Sequence, residues 1–365
     1  MADLSTVIES LLADGSLAYV RTNPLAQFGP RSRPYLGPTI LPERLVPANS
    51  FEEMDIQYRT VIANDGERYS PAQIKASGQI VGSMEVVLGN QDIALEMTPA
   101  DYDAVVKYLR TLTGANPTFE DAANRIIQLA NSAVAGILML NEKQRWAAIE
   151  NASVVRVGNN GFTETVSYPN PAGHRAAAGG TWSSDAYDPM TDILAMQELF
   201  AGKGLTVRRM IASTAVARIL TNNAKMQARF APVRVLSSGS DYFSALTNDG
   251  INAGFGAMGL PPLETYDAVW RDQTSTGKML STTKFVMIAD TDREEIIEDG
   301  DTYIPLDNVA GYYAVGTPGG QPAPGRALEL DMGKGKGATI RVESWQTGLP
   351  ILSSPESFAV IHTIG

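Results

Sequence analysis

The sequence predicts an α+β fold that combines one long helix, several β-hairpins and a later stretch of mixed helices and strands. Apolar residues recur every three to four positions over residues 118–151, which predicts one helix of about 45–50 Å at a rise of 1.5 Å per residue. Alternating apolar and polar residues around Gly-containing turns predict hairpins in residues 55–97 and 153–168. The chain has 365 residues, which suits about two or three closely connected domains.

Residues 1–54 are predicted to form an extended arm without a core of its own. Between residues 24 and 47, prolines recur every four to six positions, which prevents helix and favours extended chain. The apolar side chains here, which include Phe28 and Tyr35, would be poorly solvated in a free linker. We therefore expect an arm that lies across neighbouring subunits, with a flexible linker as the alternative.

Residues 55–97 are predicted to form a long hairpin. Its turn falls at Asn64, Asp65 and Gly66, because glycine accepts the positive φ that a tight turn requires. The hairpin is polar at its tip and has few residues to bury, so it would be marginally stable alone. We expect it to lean on a partner.

Two helices are predicted to follow the hairpin. The shorter covers residues 100–112, and Gly114 and Pro117 separate it from the long helix. At the start of the long helix, Thr118 and Asp121 resemble a capping box. A single helix of this length inside a mixed domain is typical of a supporting beam.

Residues 180–193 form a glycine-ended loop that leads directly into a helix start. Asp188 can cap this helix by accepting from the free N–H groups of its first turn, and Pro189 suits the first helical position. Trp182 and Tyr187 could stack on a ligand, although a joint between two domains also needs large apolar anchors. The helix itself is indicated by apolar residues at helical spacing: Met190, Ile193, Met196 and Phe200.

Beyond residue 200, helices and strands alternate without an internal repeat. The predicted helices cover residues 214–222 and 241–246. The predicted strands cover residues 205–211 and 285–289, the neighbourhoods of residues 312–315 and 340–345, and the closing segment 358–361.

Composition limits the function. The net charge of -11 opposes binding to nucleic acid. This charge suits the wall of a container for DNA, and it is also common among soluble proteins. The chain has no cysteine, so a disulfide or a thiolate metal site is excluded. Its two histidines, His174 and His362, are too far apart in sequence for a His-rich zinc motif. The N-terminus lacks the features of a signal peptide, and no apolar run approaches the length of a membrane span.

Three motifs resemble known ligand sites but lack features that those sites require. Residues 254–259 match the G-x-G-x-x-G pattern, but prolines at 261 and 262 forbid the helix that a dinucleotide site needs after it; we predict a loop. Residues 333–337 are rich in glycine and lysine but lack the spacing of a phosphate loop, so a mobile loop is expected. The acidic residues between 290 and 301 lack the order of a calcium loop and are expected to form a solvated face. We therefore predict no catalytic, cofactor or metal site.

Taken together, residues 180–193 resemble the joint between the peripheral and central domains of the lambda-type phage major capsid proteins, the protein E family. Further stretches are similar to that family in the expected order. Tyr69, Ser70 and Pro71 correspond to the extended-loop region of the family. Residues 142–146 correspond to the end of its long helix, and residues 345–360 correspond to its C-terminal segment. Residues 1–35 show no match.

The resemblance implies the Hong Kong 97-type capsid fold. Its parts are expected in this order: an N-terminal arm (1–54), an extended hairpin loop (55–97), a peripheral domain (98–187 and 341–365) with its spine helix (118–151), and an axial domain (188–340).

The resemblance also implies a structural protein rather than an enzyme. The subunit would assemble with itself, as hexamers and pentamers, into an icosahedral shell around double-stranded phage DNA. This would happen in the host cytoplasm, without sequence-specific DNA contacts, a cofactor or a membrane. A portal, a scaffold and a decoration protein are expected partners. Alternatives are an encapsulin-like compartment of the same fold and a soluble α/β enzyme.

Two sets of residues are expected to serve assembly. Contacts between subunits are expected at Phe28, Tyr35, Asn64, Asp65, Gly66 and Tyr69. The domain joint is expected at Trp182, Tyr187, Asp188 and Pro189.

Overall fold

A helix of 33 residues, α1 (Phe119–Asn151), is the longest element and packs against two separate β-sheets. The computed structural model describes residues 35–58, 78–98, 100–101, 119–158, 162–230, 246–272, 274–290, 295–299, 302–306, 310–332 and 339–364. Several sequence-based predictions fall outside these residues: Phe28, Asn64, Asp65, Gly66, Tyr69, most of the helices expected at 100–112 and 241–246, and the loop at 333–337.

The remaining elements complete the described chain. The shorter helices are α2 (Met190–Ala201), α3 (Thr214–Asn222), α4 (Ala224–Phe230) and α5 (Asn248–Ala257). The strands are β1 (Glu43–Leu45), β2 (Ser50–Tyr58), β3 (Gly78–Val87), β4 (Gly89–Met97), β5 (Ser153–Val157), β6 (Thr163–Ser167), β7 (Arg175–Thr181), β8 (Val207–Ala212), β9 (Leu263–Thr265), β10 (Val269–Arg271), β11 (Thr276–Lys278), β12 (Lys284–Ala289), β13 (Glu295–Asp299), β14 (Thr302–Leu306), β15 (Tyr312–Gly316), β16 (Arg326–Met332), β17 (Ile340–Ile351) and β18 (Phe358–Ile364).

The first sheet is built around β17. Strand β4 pairs with one edge of β17, and β15 and β16 lie end to end along the other edge. Gly316 faces Thr347 and Arg326 faces Gln346, so residues 317–325 leave the strand and return to it without shifting the register. Strand β1 adds to β15 in parallel and closes that side.

Helix α1 lies on one face of the first sheet. The buried centre of this contact is formed by small side chains, with Ala130, Ala133 and Val134 packed against Val342. Small side chains let a helix approach a sheet closely. Close approach is also evident at Gly136, where an added Cβ would lie 2.7 Å from Cδ1 of Ile93.

The second sheet has the order β7-β18-β12-β8-β9 and is covered on both faces. Helices α2, α3, α4 and α5 cover one face, and the C-terminal part of α1 covers the other. In β12, Phe285 and Met287 point into the first of these cores, whereas Val286 and Ile288 point into the second. Burial on both faces explains why this strand has a continuous apolar run.

Strand pairing differs from the boundaries expected for the hairpin and the domains. Only β2 and β3 form the long hairpin, because β4 pairs with β17 in the first sheet. Strands β15 and β16, expected in the axial domain, also lie in the first sheet. Strand β18, expected in the peripheral domain, lies inside the second sheet. These differences arise from long-range pairing, which local sequence patterns do not encode.

The segment 254–259 is not the loop that we predicted. Residues 254–257 form the last turn of α5, which Thr247 caps by accepting from the N–H of Gly250 at 3.2 Å. Glycine at position 254 leaves space for the ring of Phe230. The two prolines follow this helix instead of preceding one. The glycines therefore lie at a helix C-terminus, the opposite of what a pyrophosphate site needs.

The described part of the arm packs on its own chain. Leu41 is fully buried, and Ile40 and Val46 are nearly so. The prediction that residues up to 54 have no core is therefore wrong for residues 40–46, because these apolar side chains fill gaps beside α1 and the first sheet.

Within the described residues, no helix has the length and apolar character needed to cross a membrane. The same residues contain no group of three or more acidic or histidine side chains arranged to hold a metal ion.

The contact between α1 and the second sheet can be tested with Ile149→Ala. Ile149 is fully buried in this contact, so the cavity should lower the free energy of unfolding by about 2–5 kcal/mol. Gln128→Ala, on the exposed face of the same helix, should change it by less than about 0.5 kcal/mol. Chemical denaturation measures both, and equally small effects would contradict a helix that depends on the second sheet.

The polar core of the long helix and candidate assembly surfaces

The last part of α1 carries charged side chains into the interior. Glu142 and Arg145 are 0% and 1% exposed, although charged residues are rarely fully buried without partners. They lie on the side of α1 that faces the arm and the first sheet.

Glu142 connects three parts of the chain through one carboxylate oxygen. Its Oε1 accepts hydrogen bonds from the backbone N–H of Gly37 at 3.0 Å, from Nε1 of Trp146 at 2.7 Å and from the hydroxyl of Tyr266 at 2.5 Å. Burial first, and the Glu142 carboxylate second, raise the pKa of Tyr266, so its hydroxyl stays protonated as a donor. The arm, the helix and the segment after β9 therefore meet at this carboxylate.

Arg145 completes the cluster on the side of the first sheet. Its Nε donates to the carbonyl of Leu41 at 2.9 Å, and its guanidinium carbon lies 4.6 Å from the centre of the Tyr313 ring. Its Nη2 lies 3.5 Å from Oε1 of Glu43, and its Nη1 lies 3.9 Å from Oε2 of Glu142. Burial lowers the pKa of Arg145, and the neighbouring Glu43, Tyr313 and Glu142 oppose that effect.

A neutral hydrogen-bond network extends from this cluster into the first sheet. Gln91 donates to Gln144 at 2.8 Å and to the hydroxyl of Tyr313 at 2.7 Å. Gln346 donates to Gln91 at 2.6 Å and to Asn141 at 2.7 Å. Partners of this kind are what buried polar groups require. Sequence analysis missed this network, because amide side chains at the end of a helix look like a solvated face.

The C-terminus of α1 is held by cations from the second sheet. Arg175 of β7 donates to the carbonyl of Ile149 at 2.9 Å, and Lys284 of β12 lies 3.1 Å from Oε2 of Glu150. Positive charge is favourable here because the helix dipole places partial negative charge at its C-terminus. Burial lowers the pKa of Arg175 to about 10, which leaves it charged at neutral pH.

Trp182 and Tyr187 are engaged within one core and do not face a ligand site. Trp182 is fully buried, and its Nε1 donates to Oδ2 of Asp192 at 2.7 Å. The Tyr187 hydroxyl donates to Oδ1 of Asp192 at 2.6 Å. Burial, together with this carboxylate, raises the pKa of Tyr187 to about 12. Asn223 fixes the loop between them by donating to the carbonyls of Trp182, Ser184 and Tyr187, each at 3.0 Å.

Asp188 caps α2 as its position in the sequence suggests. Its Oδ1 accepts from the N–H of Met190 at 3.0 Å, and its Oδ2 pairs with Arg229 at 2.6 Å. Pro189 precedes the first residue of the helix, one position earlier than predicted. All of these residues surround the core between α2 and the second sheet. The residues that touch both sheets lie instead at the end of α1.

Of the residues predicted to contact neighbouring subunits, Tyr35 alone lies in the described part of the chain. It is half-buried against the core beside α1, and burial raises the pKa of its hydroxyl, with Glu142 adding to the effect. Large apolar side chains are nevertheless exposed elsewhere: Leu45, Val87, Leu140, Val155, Val157, Phe162 and Val269.

His174 is buried and neutral. Its Nδ1 lies 3.0 Å from the carbonyl of Phe358 and must donate there, so its Nε2 accepts from Lys203 Nζ at 3.0 Å. Lys203 also pairs with Glu356 at 3.0 Å. Burial lowers the pKa of His174; Lys203 and Arg175 lower it further, while the Phe358 carbonyl and Glu356 oppose them.

Comparison with known proteins identifies a family. The family model described as phage major capsid protein E matches residues 96–297, which is more than half of the chain. No curated protein sequence matches the chain significantly.

Two solved structures are similar along nearly the whole chain. One is a phage-related protein from Bordetella bronchiseptica RB50, with 14% identity, a TM-score of 0.53 and coverage of 95% of this chain and 96% of that chain. The other is described as a prophage capsid protein from E. coli CFT073, with 13% identity, a TM-score of 0.54 and coverage of 97% and 98%. At these identities the likeness concerns the fold alone. The α+β class and the capsid fold that the resemblance implies are confirmed.

Removing the Glu142 carboxylate should be costly. Glu142→Ala leaves Arg145 buried with a weakened counter-charge, so the free energy of unfolding should fall by about 3–5 kcal/mol. Glu164→Ala breaks an ion pair whose carboxylate side chain is 44% exposed and should cost less than about 1 kcal/mol. Denaturant titration compares the two, and similar small losses would contradict a structural role for the buried cluster.

Stability should fall in mild acid because of His174. Its pKa lies below the ordinary 6.5 only in the folded chain, so the unfolded chain binds more protons between the two values. The contribution is complete above pH 6.5 and declines as the pH falls towards the folded pKa. His174→Asn, which retains a donor towards Phe358, should flatten the melting temperature between pH 7.5 and about pH 5. His362→Gln, the control, should retain the pH dependence of the melting temperature that is due to His174. A pH dependence in His174→Asn equal to that of the wild type would contradict this assignment.

Proposed function

The chain belongs to the family of phage major capsid protein E and is therefore a structural subunit of a phage head shell; we propose that it assembles with itself, as hexamers and pentamers, into a closed icosahedral particle. The observation that supports this mode of assembly is the hairpin β2–β3. Among the described residues, its two strands pair only with each other. A two-stranded hairpin is marginally stable by itself, and contacts with other subunits would supply the missing burial.

We propose a division into domains that follows the two sheets. The peripheral domain would contain α1 and the strands of the first sheet, and the axial domain would contain the second sheet with α2, α3, α4 and α5. The joint would lie at the C-terminus of α1, where Arg175 and Lys284 bind it. Trp182, Tyr187, Asp188 and Pro189 would support this joint from within the axial domain.

The shell is proposed to enclose double-stranded DNA without reading its sequence. The net charge of the subunit is -11, which disfavours close contact with phosphates. The face of the first sheet that points away from α1 is itself acidic, and Glu343 lies directly opposite Glu329 on it. On β17, Arg341 is the one cation of this face, and it pairs with Glu343. The other carboxylates of that face are Asp92, Glu96 and Asp331.

Assembly in the host cytoplasm, with a portal, a scaffold and a decoration protein as partners, completes the proposal. These partners are proposed from membership of the capsid family. Phe28, Tyr35, Asn64, Asp65, Gly66 and Tyr69 remain the residues proposed for contacts between subunits.

The first test is electron microscopy of the chain expressed alone in bacterial cytosol, with sizing chromatography of the same sample. Closed shells, tubes, or rings of five and six subunits would support the proposal. A compact monomer at high concentration would contradict self-assembly by the chain alone.

Deleting residues 62–75 should leave a folded, soluble subunit that no longer forms shells, because the tip of the hairpin would then be too short to reach a neighbour. Replacing the same residues with a Gly/Ser segment of equal length separates loss of reach from loss of side-chain contacts. Intact particles from the deletion variant would contradict the role of the hairpin.

A further inference from the structure

The hairpin β5–β6 presents an uncharged, apolar face to solvent. Val155 and Val157 are 57% and 75% exposed, and they lie opposite Thr165 and Thr163. Phe162, next to the turn, is 50% exposed, but its ring lies 5.7 Å from the guanidinium carbon of Arg156 on the other side of the hairpin. This outward face contains valine, threonine and serine only, since the two charged residues of the hairpin point the other way.

The opposite side of the hairpin is anchored to the chain. Val154 is 1% exposed, and Val166 packs against the same core. Arg156 and Glu164 pair across the two strands at 2.6 Å. The N–H of Tyr168 donates to the carbonyl of Ala152 at 2.8 Å and closes the base of the hairpin on the end of α1. The outward face is therefore held in a fixed position relative to both sheets.

The anchored side of this hairpin, not the outward face, lies beside the base of the long hairpin β2–β3. The guanidinium of Arg156 occupies the space that a Cβ at Gly89 would need. Two residues before Gly89, Val87 is 53% exposed at the end of β3. The hairpin that carries the outward face is thus adjacent, through its anchored side, to the segment that is proposed to reach other subunits.

We infer that a second copy of the chain covers this face in the assembled particle. The inference rests on the proposed self-assembly and deepens it. Each copy carries a net charge of -11, so copies repel one another and like charges at a contact are costly. A sheet face free of charge avoids that cost and adds the burial of two valines. The complementary surface must likewise lack net negative charge, which distinguishes it from the acidic face of the first sheet.

The inference is tested with two variants of the full chain. Val157→Asp places a charge on the exposed face, and the subunit should fold with an unchanged melting temperature because the site is exposed. The particles should then form only at a protein concentration at least about tenfold higher, because an unpaired carboxylate is costly to bury. Val157→Thr keeps the β-branched shape without a charge and should assemble like the wild type.

A second measurement reports the contact directly. The chain has no cysteine, so Val155→Cys introduces a single thiol whose reaction with a maleimide can be followed. The rate should fall at least about tenfold between free subunits and purified particles, because burial in a well-packed interface excludes the reagent. Protection that appears only after another protein is added would overturn the assignment to a second copy.

The outcomes separate this inference from the proposed function. The inference would be overturned if the thiol of Val155→Cys reacted freely in assembled particles, or if Val157→Asp formed particles at the wild-type concentration. Either result would leave the proposed self-assembly unaffected. A wild-type chain that stays monomeric would overturn the proposed self-assembly first, and the inference with it.

Discussion

The buried pair of Glu142 and Arg145 is the constraint on which the rest of the structure depends. These two side chains, one turn apart on α1, hold the arm through Gly37 and Leu41, and they reach the two sheets through Tyr313 and Tyr266. An apolar cluster of the same volume could be as stable. It would not specify where each segment lies, whereas each hydrogen bond here requires one partner at one position. We therefore regard the cluster as a device for structural specificity.

The middle and the C-terminal end of helix α1 carry different kinds of side chain and contact different sheets. Its middle is lined with small side chains and meets the first sheet at close range, while its end carries Trp146, which stacks on Tyr266 with ring centres 5.0 Å apart. One continuous helix thus packs against both sheets. The cations from β7 and β12 fix the end of that helix to the second sheet.

Local patterns predicted the local elements well. The long helix was expected at 118–151 and begins at residue 119, and the hairpin after it has the expected strands, because periodicity and turn residues encode both. Strand partners were not predictable: β18 joins the second sheet although the strand before it, β17, belongs to the first. Glu142 and Arg145 belong to a motif that the sequence singled out at 142–146, yet their burial depends on partners more than 100 positions away in the chain. The helix that contains Gly254 was missed because we expected the prolines at 261 and 262 to exclude a helix here, although they lie beyond its end.

The excursion of residues 317–325 has a practical consequence. Strand β15 ends at Gly316, opposite Thr347, and β16 begins at Arg326, opposite the adjacent residue Gln346. The sheet itself therefore does not fix the length of the loop between the two strands. Loop-closure entropy rises only slowly with length, and the tip of this loop, at Gly319, Gly320, Pro322 and Ala323, is exposed. A peptide inserted at this position is therefore expected to leave both cores undisturbed.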